Sequence, residues 1–286
     1  RLLSMKTGLN YLSMSFIIQF LDKLRSTYGS GMTFITGDGG DKFLVDLRPK
    51  RSLRSLSDLV QYIVSRQRQT FSLEDVSRMT GIPECDIIHG ISEHVGSYPE
   101  QDWGNKFVHF VIFERGRRWL FEGEDRNRNF FWHLAPFYGI QFFRYAMNCP
   151  DEQKVNHRLY KELLVSLSPQ VSNIKNENWG FPITSRRYYW MVFTRYLIDL
   201  IPTQFKKRIK QQLGQNAILK ERYKECVSKQ VASSDVIRKH LMFPEVIRQL
   251  DRCTTREAQT LLTVTSTLEL VASGRSTIKE YWDDQF

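Results

Sequence analysis

Residues 33–43 read TFITGDGGDKF, and this stretch constrains the fold more than any other. A short apolar, β-branched run passes directly into Gly37, Gly39 and Gly40, interleaved with Asp38 and Asp41, a composition that suits neither a helix interior nor a strand. Ahead of it, the pattern LNYLSMSFIIQFL (residues 9–21) is that of an amphipathic helix. That helix ends near Tyr28-Gly29-Ser30-Gly31, where glycine permits a left-handed cap. Helix, loop, strand and glycine loop make half of an α/β unit. In open parallel sheets, ligands sit in the crevice beyond the carboxyl ends of the strands, which is where residues 37–41 fall. Glycines there let backbone N–H groups approach phosphate oxygens, and a carboxylate such as Asp41 can hold a Mg²⁺ that bridges them. Read as a plain turn, the same aspartates make Asx-type hydrogen bonds.

The chain has 286 residues, 41% of them apolar, enough to bury a substantial core. Its 41 Lys and Arg outnumber 31 acids, a formal charge of +10 that makes polyanions plausible partners without choosing among them. The cysteines, Cys85, Cys149, Cys226 and Cys253, lie far apart with no C-x-x-C pair, which disfavours a zinc site and a disulfide framework and fits a reducing, cytoplasmic setting. No run approaches the roughly 18–20 apolar residues of a membrane helix, so no membrane span is expected. Residues 9–21 are followed by Asp22 and Lys23 without a small-residue cleavage site, unlike a signal peptide. The chain begins at Arg1 and runs at once into this helix, so a preceding segment is expected.

Three stretches, in order, resemble the asparagine synthetase family. TGDGGDK is similar to that family's S-G-E-G-x-D-E loop, with Thr36 for Ser, Asp38 for Glu and Lys42 for the final Glu. WHLAPFYGIQFFRYAMNCP, residues 132–150, looks like a divergent copy of E-x-R-x-P-F-L-D with its following helix and proline. LYKELLVSLSPQVSNIKNENWGFP, residues 159–182, resembles the later helix, proline and K-x-G-F segment. Together they cover roughly residues 8–47 and 120–200. The resemblance implies an ATP pyrophosphatase-type synthetase domain, a ligase of asparagine biosynthesis and amidotransferase type. In it a substrate carboxylate attacks the α-phosphate of ATP, pyrophosphate leaves, and ammonia or a glutamine-derived amine displaces AMP from the acyl-adenylate. On that mapping Asp41 is the metal ligand, Asp38 the acid that serves proton transfer, and Gly37, Gly39 and Gly40 bring the backbone close to ATP.

The departures bear on activity. Trp132, Leu134 and Gly139 stand where the family has Glu, Arg and Asp, and Asn178 replaces the lysine before x-G-F. Losing a cation beside pyrophosphate removes transition-state stabilisation unless Lys42 or Lys175 supplies it from another direction. The family's S-G-G-x-D-S phosphate loop and its glutaminase domain are not found in these residues. The chain is therefore expected to represent the C-terminal portion of such a protein, to lack pyrophosphate exchange alone, and to be compatible with a homodimer. The alternative is a catalytically inactive descendant that binds a partner.

A rival reading starts at residue 71. FSLEDVSRMTGIPECDIIHGISEHV has a Ser72/Asp75 capping arrangement, a turn at Gly81 and a second apolar-striped helix. KFVHFVIFERGRRWLFEG then suggests a β-hairpin turning at Arg115-Gly116. That is winged-helix patterning, yet the second helix offers Glu84, Asp86, His89, Ser92, Glu93 and His94 where a reader of DNA needs Arg, Lys, Asn or Gln, so no specific nucleic-acid binding is expected. The pair and hairpin, at about 70–122, are expected to be an insertion. Of the rest, the six histidines show no H-x-x-x-H spacing. RRYYWMVFTRYLIDLIP (186–202) reads as a mostly buried helix, FKKRIKQQLG (205–214) as a solvated basic face, and Thr254-x-x-Glu257 as a capping box before a long apolar helix ending at Gly274. The expected fold is thus a single helix-rich α/β domain over 1–286. It carries a partial parallel sheet at 32–36, of the adenine-nucleotide α-hydrolase type, and a helical C-terminal body.

Overall fold

Helix α1 (Phe16–Tyr28) stops at Gly29, whose φ of 81° lies in the left-handed region and whose N–H donates to Arg25 O at 2.8 Å. In this computed structural model residues 16–67, 70–120, 122–177, 179–200 and 217–272 are described. They are mainly helical, with one small parallel sheet of two strands. By their contacts they divide into two compact units. Residues 16–34, 48–134 and 217–272 group in the first, and residues 35–47 and 135–200 in the second.

Strand β1 (Thr33–Ile35) is followed by the single-turn helix α2 (Gly40–Phe43). In the first unit α3 (Leu56–Gln67) buries Leu59, Val60, Tyr62 and Ile63. Helix α4 (Leu73–Thr80) starts at a complete capping box: Asp75 N donates to Ser72 Oγ at 3.0 Å and Ser72 N to Asp75 Oδ2 at 3.2 Å. It ends at Gly81, φ 72°, before α5 (Glu84–Gly96), so the helix pair read from the sequence is present.

The hairpin is not. Residues 106–120 are helical: α6 (Trp103–His109) runs into a π-helix over Phe110–Leu120, followed by α7 (Glu122–Arg128). The winged-helix reading therefore loses its wing. The physical reason is visible in the burial: Phe107, Val111, Ile112 and Gly116 fall at spacings of four to five and line one helical face, with Phe107 edge-on to Tyr62 at 4.9 Å. Asp102 starts the helix by accepting from Asn105 N at 2.9 Å. Strand β2 (Trp132–Leu134) pairs with β1, and Phe34 stacks on Phe131 above a cluster of Ile18, Leu21 and Phe130.

In the second unit a 3₁₀ turn over Pro136–Tyr138 leads to α8 (Ile140–Asn148), then α9 (Asp151–Lys154), a tight turn over Val155–His157, α10 (Arg158–Leu167), α11 (Pro169–Ser172) and α12 (Arg186–Leu200). Helix α12 was expected to be mostly buried. It buries Tyr188 but exposes Tyr189, Trp190 and Phe193, because its aromatics encircle the helix instead of following one stripe. The segment 205–214, Asn178 and Gly274 lie outside the described residues.

The first unit is completed by α13 (Ala217–Ser233), α14 (Asp235–His240), α15 (Phe243–Arg252) and α16 (Thr255–Ala272). The Thr254/Glu257 capping box forms as read, with Thr254 N donating to Glu257 Oε2 at 2.6 Å. Met79, Val227, Val231, Ile237, Val246, Leu250 and Leu261 make one core, in which each buried Val or Leu contributes about 1.5–3 kcal/mol. Between α13 and α16, Gln230 bridges Thr265 at 2.6 Å and Ser266 at 2.9 Å, so the polar groups entering this seam are satisfied.

Candidate functional site

The glycine loop lies directly after β1, in the second unit, and each glycine does something different. Gly39, φ 87°, is the left-handed N-cap of α2, and a Cβ there would stand 2.8 Å from Phe43 Cε2 and 2.9 Å from Tyr138 Cε2. At Gly40 a Cβ would come within 3.1 Å of Phe137. Gly39 is demanded by backbone and packing and Gly40 is tightly packed, under an aromatic wall in which Phe43 meets Tyr138 edge-on at 5.3 Å and Phe143 at 5.1 Å. Gly37 is different. It is exposed, its φ is outside the left-handed region, and a Cβ would meet nothing within 4 Å. Nothing in the fold requires a glycine there, whereas close approach of a ligand to the backbone would.

The carboxylates also divide. Asp38 is half-buried, with Oδ2 shielded from solvent. Asp41 projects outward, its side chain 67% exposed, and forms an ion pair with the Lys42 ammonium. Lys42 is thus engaged by its own neighbour, and Lys175 sits exposed on the loop after α11, its Cε 3.8 Å from the position of a Cβ on Gly180. Both lysines lie in the same unit as the loop. Trp132 and Leu134, at the positions where the family has Glu and Arg, are exposed on β2.

Mg²⁺ keeps several waters and takes one or two carboxylates together with substrate phosphates. The outward Asp41 carboxylate, in the first turn of α2, fits that demand. Among the described residues no group of three or more His, Cys, Asp or Glu is placed to cage a metal. Set against protein-family models, curated proteins and solved structures, the chain matches none.

The aromatic wall of Phe43, Phe137 and Tyr138 was not read from the sequence as part of the loop. Its signal was present in A-P-F-Y after β2: a proline-led turn carrying two consecutive aromatics, which fills the space above two adjacent glycines.

Proposed function

We propose that the Gly37–Asp41 loop belongs to the nucleotide site of an ATP-dependent, amide-forming ligase of the asparagine synthetase kind, on a sheet of adenine-nucleotide α-hydrolase type. The observation that carries this is the division of labour in the loop: Gly39 and Gly40 are used by the fold, while Gly37 is open and the Asp41 carboxylate, paired with its neighbour Lys42, faces solvent in the turn that follows a parallel strand. In this reading the Gly37 backbone approaches the phosphates of ATP, Asp41 holds Mg²⁺, and Asp38, half-sheltered, moves the proton released when an amine attacks the acyl-adenylate. Bound Mg²⁺ supplies charge stabilisation to the phosphates. The carboxylate oxygen bonds to the α-phosphorus as the bond to pyrophosphate breaks; the amine then bonds to the acyl carbon as AMP leaves. The acceptor is a carboxylate, and the nitrogen comes from ammonia or a glutamine-derived amine.

ATP–pyrophosphate exchange in the full-length protein tests the reading. Asp41→Asn should lower exchange by about a hundredfold or more, several kcal/mol of transition-state stabilisation, while the circular-dichroism melt stays put. Asp38→Asn should keep ATP affinity and slow the chemical step. Exchange that survives Asp41→Asn undiminished would overturn it. A second reading, a descendant that uses the fold to bind a partner, draws support from Trp132, 71% exposed, and Leu134 in place of charged groups. It requires that the unaltered protein show no exchange.

A further inference from the structure

We propose that the solvent-facing stripe of α12 binds single-stranded nucleic acid with little sequence preference, stacking bases on its aromatic rings and meeting phosphates with Arg186, Arg187 and Lys161. Arg186, Tyr189, Trp190 and Phe193 fall at i, i+3, i+4 and i+7 and so share one face of the helix. All four are exposed, Trp190 to 68%. Trp190 and Phe193 stand edge to face, with ring centroids 6.2 Å apart. Tyr188, on the opposite side of the helix, anchors it. That residue is buried, its ring packs on Trp179 at 5.0 Å, and its hydroxyl donates to Asn156 O at 3.0 Å. The exposed rings thus project from a helix fixed on its far side, and groups held in place beforehand lose less freedom when a ligand meets them.

The cations of this face have no counter-charge. The sequence holds no acid between Glu177 and Asp199, and from 186 to 214 it carries seven Arg and Lys against Asp199 alone. Among the described residues no carboxylate pairs with Arg186, Arg187 or Lys161. Glu162, next to Lys161, accepts instead from Arg158 Nε at 2.9 Å. Lys161 Nζ donates to Tyr189 Oη at 2.6 Å and lies 5.0 Å from the ring centroid, so the ammonium stands beside the edge of the ring and does not cover its face. On α4, α13 and α15, by contrast, exposed cations meet an acid one turn away: Arg78 with Glu74, Lys229 with Glu225 at 2.6 Å, and Arg248 with Glu245 at 2.9 Å.

Rings and unneutralised cations on one stripe suit one kind of occupant. An unpaired strand offers flat base faces to aromatic side chains and a phosphate at every step, whereas a duplex keeps its base faces stacked inside. A helix that lies on a membrane segregates its cations on a polar face away from its apolar one, but here Arg186 and Trp190 share a stripe. A second copy meeting the first across a two-fold axis would set these arginines against their own counterparts with no acid between them. The net charge of +10 draws any polyanion toward the chain, and the stripe supplies what charge alone lacks. The site depends neither on the Gly37–Asp41 loop nor on the α4–α5 pair.

The experiment titrates the whole chain into a fluorescent oligothymidine of about 20 nucleotides, a mixed-sequence strand and a duplex of the same length, at about 50 and about 150 mM salt, and reads anisotropy. Both strands should bind alike, about tenfold or more tighter than the duplex, and more weakly at the higher salt. A strand carrying iodouracil should photocrosslink within residues 186–194. Trp190→Ala should weaken binding by about tenfold, while Trp190→Phe keeps most of it. Arg186→Ala should lower the salt slope by about 0.7, the share of one phosphate on a single strand. Trp132→Ala, which removes an exposed ring of the first unit, should change nothing. Absence of strand binding at the lower salt, a duplex bound as tightly as a strand, crosslinks centred elsewhere, or full binding by Trp190→Ala would each overturn the proposal. So would capture by phosphatidylserine vesicles, or a self-association lost in Trp190→Ala, where the strand itself does not bind. Strand-against-duplex affinity and the crosslink need no variant, so they decide even if a substitution does not fold.

Discussion

Replacing Gly39 by alanine separates what the glycine loop owes to the fold from what it leaves to function. The residue sits at φ 87°, where an L side chain costs about 1–2 kcal/mol. Its new Cβ would also stand 2.8 Å from Phe43 and 2.9 Å from Tyr138. The Phe43 ring cannot swing away freely: it is 2% exposed and wedged against Phe143 as well as Tyr138. Overpacking of that kind costs about 1–3 kcal/mol, so the two effects together amount to about 2–5 kcal/mol. Gly37→Ala, with open space around its Cβ, should fall within about 0.5 kcal/mol of the unaltered protein. Urea unfolding followed by tryptophan fluorescence measures both, with the midpoint shift read at constant slope. Equal and small shifts for the two alanines would refute the packing account of Gly39. A large loss for Gly37→Ala would show that this glycine is structural too, and would remove the main support for a ligand at the loop.

Ser72→Ala should cost about 1 kcal/mol and fray α4, because it removes the oxygen that accepts Asp75 N; hydrogen exchange at residues 73–76 reads this directly. A thiol reagent should label exposed Cys85 and Cys226 quickly, and Cys149 and Cys253 only after unfolding. Burial pushes the Cys253 thiol above its ordinary pKa and its Sγ donates to Leu250 O at 3.0 Å, so Cys253 should be last. Burial, followed by the Glu114 carboxylate, pushes the Tyr98 phenol far above its ordinary value of 10.0. The folded state therefore holds that proton more tightly than the unfolded chain. Its contribution is complete below about pH 10 and is lost as pH rises past it, so Tyr98→Phe should flatten the alkaline limb of a stability–pH curve.

Local chemistry made several features legible in the residues alone. The Ser72/Asp75 and Thr254/Glu257 caps, the Gly29 and Gly81 stops and the strand ahead of the glycine loop depend on neighbours within four positions, and they stand where the sequence puts them. Residues 106–120 were misread because FVHFVIF satisfies a strand and a buried helix equally well, and only the packing of Phe107 on Tyr62 selects between them. Helix α12 was legible as a helix, but not in its burial, since aromatics around a helix do not say which side finds a partner. In the loop, the sequence could count three glycines and two aspartates but not distinguish them. Gly39 and Gly40 are explained by Phe43, Phe137 and Tyr138, two of which arrive from about a hundred residues away, and Gly37 is marked out only by the space beside it.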